Sequence, residues 1–163
     1  MTIELYRIDD RLIHGQVVVG WGQPFGLGFI VLVDDEVAAS EWEQELYRMG
    51  VSPNMDVYFA SVEEAAARIG EWRADERPGI LLTGDIDSMG RLIELVPDIH
   101  AVNLGGIHHL EGRQERLRYV YLTGAEEEKL RALVERGVDV SCQDVPAARP
   151  VPLDELLAGE IKR

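Results

Sequence analysis

The chain alternates between short apolar runs and longer stretches in which apolar residues recur at helical spacing. The run FIVLVD at 29–34 is apolar throughout, which is typical of a strand buried on both faces of a parallel sheet. The segment RLRYVYLT at 116–123 alternates apolar and polar residues, which is typical of an edge or antiparallel strand. Further strands are predicted at 3–9, 55–60, 79–84, 101–106 and 138–143.

Helices are predicted between these strands from their start signals. A Ser or Thr followed three residues later by Glu forms a capping box, which satisfies the first free N–H groups of a helix. This spacing begins at Ser40, Ser61 and Thr123, and the last of these helices is predicted to end at Gly137. Shorter helices are predicted at 15–22, near 88–96 and at about 152–158.

Strands that alternate with helices at this spacing form a mainly parallel open sheet. The sequence therefore predicts an α/β fold with about six or seven strands, helices on both faces and one antiparallel edge strand. No internal repeat or linker interrupts the chain, and 163 residues suit one domain over 1–163.

Composition limits the function. Thirty acidic against sixteen basic residues give a formal charge of −14, which argues against nucleic acid and anionic lipid as partners. No run approaches the roughly 18 apolar residues of a membrane span, and no signal peptide is expected at the N-terminus. The single cysteine, Cys142, is expected to be buried and is typical of a reducing cytoplasm. Any anionic substrate therefore needs a local positive feature.

Several predicted strands end in polar or glycine-bearing loops. The carboxyl ends of parallel strands meet at one edge of a sheet, where open α/β folds bind ligands. We expect four loops to meet there, although the alternative that they are ordinary turns stays open. The loops are 9–11, 34–35, 83–85 and 103–106.

The first of these loops leads to His14, which directly precedes the predicted helix at 15–22. A helix N-terminus favours an anion and disfavours a protonated imidazole, so the ring is expected to be neutral and nucleophilic. Arg11, three residues earlier, presents a fork of donors that suits phosphate oxygens. Asp9 or Asp10 is expected to orient the imidazole or Arg11. A surface histidine among ion pairs remains the alternative.

Other motifs favour structural roles. The glycines between Gly20 and Gly26 follow the first predicted helix, so their position does not fit a dinucleotide-binding turn. His108 and His109 are adjacent, which is poor geometry for a metal site, and their roles stay open. No metal or cofactor is expected. Core or interface positions are predicted for Trp21, Trp42 and Trp72.

The segment RIDDRLIHGQV at 7–17, followed by Trp21, resembles the active-site segment of the IIB subunits of one bacterial sugar phosphotransferase family. This is the mannose/fructose/sorbose family of the phosphoenolpyruvate-dependent system. The resemblance continues in IVLVDDEVA, VNLGG, YVYLT and GVDVSCQDVP, and covers nearly the whole chain.

The resemblance implies a phosphoryl relay. His14 would be phosphorylated at Nδ1 by a phosphorylated IIA protein, with Arg11 as phosphate ligand and Asp10 as an orienting carboxylate in an active-site loop at 9–14. The phosphoryl group would pass to a hexose-type sugar imported by the membrane subunits IIC and IID. Phosphate- or substrate-loop candidates are Asp9, Gly15, Gln16, Asp35, Thr83, Gly105 and Gly106.

The resemblance also implies a location: a cytoplasmic protein peripherally associated with the transporter. A homodimer stays open. The alternative function is a regulatory or non-transport phosphorelay module, in which phosphorylation of His14 controls binding to another protein.

Overall fold

The computed structural model describes residues 3–13, 20–22 and 24–158. Within them a seven-stranded sheet has the order β3-β2-β4-β1-β5-β8-β9, and β6 and β7 form a separate pair. The strands are β1 (Ile3–Ile8), β2 (Phe29–Val33), β3 (Asp56–Ala60), β4 (Gly79–Thr83), β5 (Ala101–Leu104), β6 (Gln114–Leu117), β7 (Val120–Leu122), β8 (Asp139–Cys142) and β9 (Val151–Pro152).

The six strands from β3 to β8 in this order pair in parallel, and β9 pairs antiparallel with β8 at the edge. Every residue of β2 and β4 is buried. This agrees with their continuous apolar runs, since these strands are covered on both faces. The predicted fold class, a mainly parallel α/β sheet with an antiparallel edge, is confirmed.

The helices follow the predicted start signals. Ser61 and Thr123 each form a reciprocal capping box with the Glu three residues later, whereas Ser40 only accepts from the Glu43 amide. The helix predicted near residue 88 begins earlier, because Asp85 caps it. The described helices are α1 (Asp35–Ala38), α2 (Glu41–Arg48), α3 (Val62–Ala74), α4 (Ile86–Leu95), α5 (Gly124–Glu135) and α6 (Leu153–Leu156). Residues 20–22 are also helical.

Two apolar cores lie on opposite faces of the sheet, as the prediction of helices on both faces requires. The larger core contains the buried sides of α3, α4, α5 and α6, together with Cys142. The smaller core contains Ile13, Trp21 and Val37 against the other face of β2 and β4. Burial raises the pKa of the Cys142 thiol to about 12, so this cysteine is an apolar packing residue.

One sequence prediction is wrong in detail. The segment 116–123 is antiparallel, which was one of its two predicted alternatives, but it is not one strand of the main sheet. Its residues are divided between β6 and β7, which form a hairpin, and a bridge between Ile107 and Val120 joins this hairpin to the loop after β5. The antiparallel edge strand is instead β9, in the proline-rich stretch before the short final helix. Proline is tolerated there because an edge strand leaves one side of its backbone unpaired.

The apolar side of α2 is open to solvent. Trp42 is 71% exposed and Met49 is 78% exposed, so Trp42 is not a core residue, in contrast to Trp21 and Trp72. Within the described residues, no helix combines the length and apolarity needed to cross a bilayer.

Candidate functional site

The first strand lies at the centre of the sheet, with β2, β3 and β4 on one side and β5, β8 and β9 on the other. This is the switch in strand order where open α/β sheets form their ligand crevice. The loop after β1 is fixed to both neighbours: the Asp9 amide donates to the Thr83 carbonyl at 2.9 Å, and the Asp10 amide donates to the Gly106 carbonyl at 2.8 Å. Three of the four predicted edge loops therefore meet at this point.

A fully buried ion pair lies beneath this loop. Arg7 Nη2 is 3.0 Å from Asp9 Oδ2, and both side chains have no exposed surface. The Arg7 guanidinium also donates to Asn103 Oδ1 and to the carbonyls of Gln143 and Asp144. Its Cζ atom lies 4.7 Å from the centre of the Trp21 ring. Since a buried charge is unfavourable without partners, these contacts of the two terminal guanidinium nitrogens join β1, β5 and the loop after β8 into one unit.

Asp9 also holds a second arginine. Arg11 donates from Nε to Asp9 Oδ1 at 2.8 Å and from Nη2 to Asp9 Oδ2 at 2.6 Å, which is a bidentate arrangement. The same Nη2 lies 3.4 Å from Asp144 Oδ1. The Arg11 side chain is 25% exposed, whereas that of Arg7 is not exposed at all. Of the two guanidiniums, Arg11 therefore lies at the surface of the site.

The pKa shifts agree with this geometry. Burial by itself raises the pKa of Asp9, but the hydrogen bonds of Arg11 and the charge of Arg7 outweigh it, and its pKa lies below the ordinary value. Burial lowers the pKa of Arg7 against the opposing effect of Asp9. Hydrogen bonding to Asp9 raises the pKa of Arg11. Arg7, Asp9 and Arg11 therefore form a cation–anion–cation group, and Asp144 adds a second carboxylate beside Arg11, so that the formal charges of these four side chains balance.

The glycine pair after β5 gives this group its space. A Cβ atom at Gly105 would overlap the Arg7 guanidinium and the Asp9 carboxylate. A Cβ atom at Gly106 would lie 3.0 Å from Arg11 Nε. The backbone approaches these side chains so closely that position 105 requires glycine.

The loop turns sharply beyond Arg11. Leu12 has a φ angle of 57°, in the left-handed region that non-glycine residues rarely adopt, and its amide donates to the Asp9 carbonyl at 3.0 Å. The next side chain, Ile13, is buried in the smaller core. Leu12 is therefore a strained residue between a backbone hydrogen bond and the buried side chain of Ile13, and such strain is typical of functional loops.

Within the described residues, Asp10 binds a histidine of another loop. Its Oδ2 atom accepts from the His108 amide at 2.8 Å and also binds His108 Nδ1. In the described structure Asp10 orients His108 and so links the loop after β1 to the loop after β5.

The structure brings some of the predicted residues together. Asp35 lies apart from the charged group: its carboxylate accepts from the Val62 amide and pairs with Arg91, so it has a structural partner set. The hydroxyl of Thr83 donates to the Asp85 carbonyl. Six of the predicted residues belong to the charged group, to the loop after β1 or to the segments that contact them: Asp9, Asp10, Arg11, Thr83, Gly105 and Gly106. The predictions for His14, Gly15 and Gln16 lie outside the described residues.

Sequence reasoning missed Arg7 and Asp144 as members of the group, and it placed Asn103 only within the edge loop 103–106. The signal for Asp144 was present, because the segment after β8 also ends at the carboxyl edge, next to β5. Arg7 was signalled by its place beside Ile8 at the end of β1, a strand that has neighbours on both sides.

The arrangement has the chemistry of an anion site on an α/β domain. A bidentate guanidinium lies at the carboxyl edge of the central strand, beside a glycine-bearing loop, and a buried carboxylate fixes its orientation.

Comparisons with known proteins agree with an anion site on an α/β domain. The family model described as "PTS system sorbose subfamily IIB component" matches residues 3–163. The N-acetylgalactosamine-specific phosphotransferase enzyme IIB component 1 of Escherichia coli strain K12 is 35% identical over 148 residues, which cover 89% of this chain and 92% of that protein. The solved IIBSor domain of the sorbose permease from Klebsiella pneumoniae superposes with a TM-score of 0.86 at 27% identity, over 99% of this chain and 100% of that one.

The chain belongs to the IIB components of the mannose/sorbose family of sugar phosphotransferase systems. The mannose-specific EIIAB component of Escherichia coli strain K12 is also similar, at 30% identity over 159 residues. These cover 97% of this chain but 49% of that protein, so this chain spans about half of it. Members of the family are phosphotransferases.

Proposed function

We propose that this chain accepts a phosphoryl group on His14 from a phosphorylated IIA protein. The chain then transfers the group to a hexose-type sugar that the membrane subunits IIC and IID admit. It acts in the cytoplasm, peripherally associated with that transporter. The observation that supports this best is the Asp9 carboxylate held between Arg7 and Arg11, because His14 follows this loop in sequence.

Arg11 supplies the local positive feature that an anionic group needs on this acidic chain. A protein with a formal charge of −14 repels other anions at long range. Arg7 is fully buried, so the partly exposed Arg11 is the arginine that reaches an incoming group. Asp9 accepts from Nε and Nη2 of Arg11 and so fixes the plane of the guanidinium, whose positive charge suits a phosphoryl group, before the phosphate arrives.

In the acceptance step, the attacking atom is a ring nitrogen, so no hydroxyl has to lose a proton. The neutral His14 imidazole attacks phosphorus with a nitrogen electron pair, and a new P–N bond forms. The P–N bond to the donor imidazole breaks, and its electron pair stays on the donor ring. Arg11 stabilises the charge that is shared among the phosphoryl oxygens during this exchange.

The test is a reconstituted relay. The chain is incubated with phosphoenolpyruvate, the general phosphotransferase proteins and the Escherichia coli mannose-specific EIIAB component as phosphoryl donor. Vesicles containing IIC and IID subunits are then added with N-acetylgalactosamine, mannose, fructose or sorbose. We expect phosphate on the chain first and then sugar phosphate only when the vesicles are present.

Two other outcomes are informative. A chain that is phosphorylated but never yields sugar phosphate with any vesicle would favour the regulatory alternative. A chain that the donor never phosphorylates would contradict the proposal. The matched variant Arg11→Lys should remain folded, because Arg7 still pairs with Asp9, but it should accept the group more slowly, because a point charge replaces a guanidinium that Asp9 holds in a fixed orientation.

A further inference from the structure

A second imidazole lies at the same edge of the sheet as the loop that precedes His14. Asp10 belongs to that loop, and its carboxylate binds His108 through both the backbone amide and Nδ1. The Asp10 amide in turn donates to the Gly106 carbonyl, so the two loops are joined at two points.

The backbone of His108 is fixed on both sides. Its amide is bound by Asp10, and its carbonyl accepts from Arg113 Nη1 at 2.8 Å. Arg113 is itself held by a fork of hydrogen bonds to Glu126, which is part of the capping box of α5. The His108 side chain nevertheless remains 66% exposed. An exposed imidazole on a fixed backbone is positioned in advance for chemistry at the surface.

The carboxylate decides which ring nitrogen is available. A carboxylate only accepts hydrogen bonds, so the contact between Asp10 and Nδ1 favours the tautomer that carries the ring proton on that nitrogen. Nε2 of the neutral ring then carries the free electron pair. Asp10 also stabilises the imidazolium that forms when Nε2 takes up a proton, as the carboxylate of a catalytic triad does.

We infer that His108 is the general base of the outgoing transfer, with Asp10 as its positioning residue. This inference rests on the proposed function. The hydroxyl oxygen of the acceptor attacks phosphorus, and its proton passes to His108 Nε2. The new O–P bond forms while the P–N bond to His14 breaks and returns its electron pair to that ring. His108 later releases its proton to solvent.

The two halves of the relay differ in their need for this base. The incoming group is attacked by a neutral imidazole, whereas the outgoing group is attacked by a hydroxyl that must lose a proton. Loss of His108 should therefore slow delivery and leave acceptance almost unchanged. A merely structural role would affect both halves, because the same loops serve both.

Nuclear magnetic resonance tests the positioning step without any partner. Long-range proton–nitrogen spectra of the isolated chain report which nitrogen of each imidazole carries the proton. We expect the Nδ1–H form for His108 and loss of that preference in the variant Asp10→Asn, which can still accept from the His108 amide. An Nε2–H form in the unaltered chain would overturn the inference.

Kinetics tests the catalytic step. The chain and its variants are charged by the donor system described above, separated from it, and placed in buffer containing a molar concentration of glycerol, whose hydroxyl serves as a probe acceptor. The rate of charging and the rate of loss of phosphate to glycerol and water are measured separately. The variants are His108→Gln, His108→Ala and, as a matched control, His109→Gln, because the His109 ring lies against Tyr121.

We expect both His108 variants to charge within about twofold of the unaltered rate and to lose phosphate at least about tenfold more slowly, since a general base typically contributes about 10²–10⁴-fold. The His109 variant should behave like the unaltered chain in both steps. Unchanged phosphate loss in the His108 variants, or equal slowing of both steps, would overturn the inference. If the unaltered chain is never charged, the proposed function itself has failed, which is a different result.

Discussion

Asp9 is the residue on which the geometry of the charged group depends. It is fully buried, it neutralises one arginine and it orients two. Burial of a carboxylate is unfavourable unless ion pairs and hydrogen bonds compensate it. Here two guanidiniums and the Arg11 amide supply them.

The variant Asp9→Asn should be strongly destabilised, because it leaves Arg7 buried without a counter-ion. Removing one partner of a buried pair typically costs about 3–5 kcal/mol of unfolding free energy. Urea denaturation followed by circular dichroism measures this. The control Asp87→Asn removes a pair with Lys129 in which both side chains are more than half exposed, and it should unfold like the unaltered chain. Equal stabilities of the two variants would contradict the role of Asp9.

The decrease in stability at acid pH should also depend on Asp9. The pKa of Asp9 lies below its ordinary value of about 3.9 in the folded chain. Its contribution is therefore fully present above about pH 4 and is lost as the pH falls through the folded pKa. We expect Asp9→Asn to flatten the fall of the urea midpoint below pH 4 more than Asp35→Asn does. A steeper fall in the Asp9 variant would refute this assignment.

At this scale, sequence reasoning found the loop but not its partners. The segment RIDDR identified Asp9, Asp10 and Arg11 as neighbours, because they are adjacent in the chain. The partner of Asp10 is His108, 98 positions away, and no spacing rule connects them. Only the pairing of β1 with β5 brings them together.

At the scale of elements, the site is the product of three loops that leave neighbouring strands. The loop after β1 is bonded to β4 through Thr83 and to the loop after β5 through Gly106. The loop after β8 adds Asp144, whose carbonyl accepts from Arg7 and from the Trp21 indole N–H. Changes in one loop should therefore disturb the others.

The variant Gly105→Ala should test this coupling. Its methyl group would overlap the Arg7 guanidinium, so we expect a loss of about 1–3 kcal/mol, as for other overpacked sites. Phosphorylation by the donor should also slow. The control Gly90→Ala adds a methyl group where no atom lies within 4 Å, inside α4, and should stabilise the chain by about 0.5–1 kcal/mol. If both variants are stabilised, the space at Gly105 is not limiting.

The elements themselves were largely predictable. Continuous apolar runs identified β2 and β4, and reciprocal capping boxes identified α3 and α5, because these signals are local. The segment 116–123 was misassigned, since alternation fits a hairpin and an edge strand equally well. The edge strand β9 has only two residues and includes Pro152, which gives no periodicity to read.

At the scale of the whole molecule, a strongly acidic chain places two arginines at the centre of its sheet edge. The formal charge of the chain is −14, and these two arginines are balanced by Asp9 and Asp144. An anion therefore meets an oriented guanidinium, that of Arg11, but no net positive charge in this group of four side chains. This favours recognition through a docking partner rather than free diffusion of small anions to the surface.

The most direct measurement is to locate the phosphoryl group. The chain is charged by the donor system, digested under neutral conditions that preserve phosphoimidazole, and sequenced by tandem mass spectrometry beside the variant His14→Gln. We predict one phosphorylated histidine, His14, and no stable phosphate on the variant. Phosphate on His100, His108 or His109 instead, or charging of the variant at the unaltered rate, would contradict the assignment of His14 as the phosphoryl acceptor.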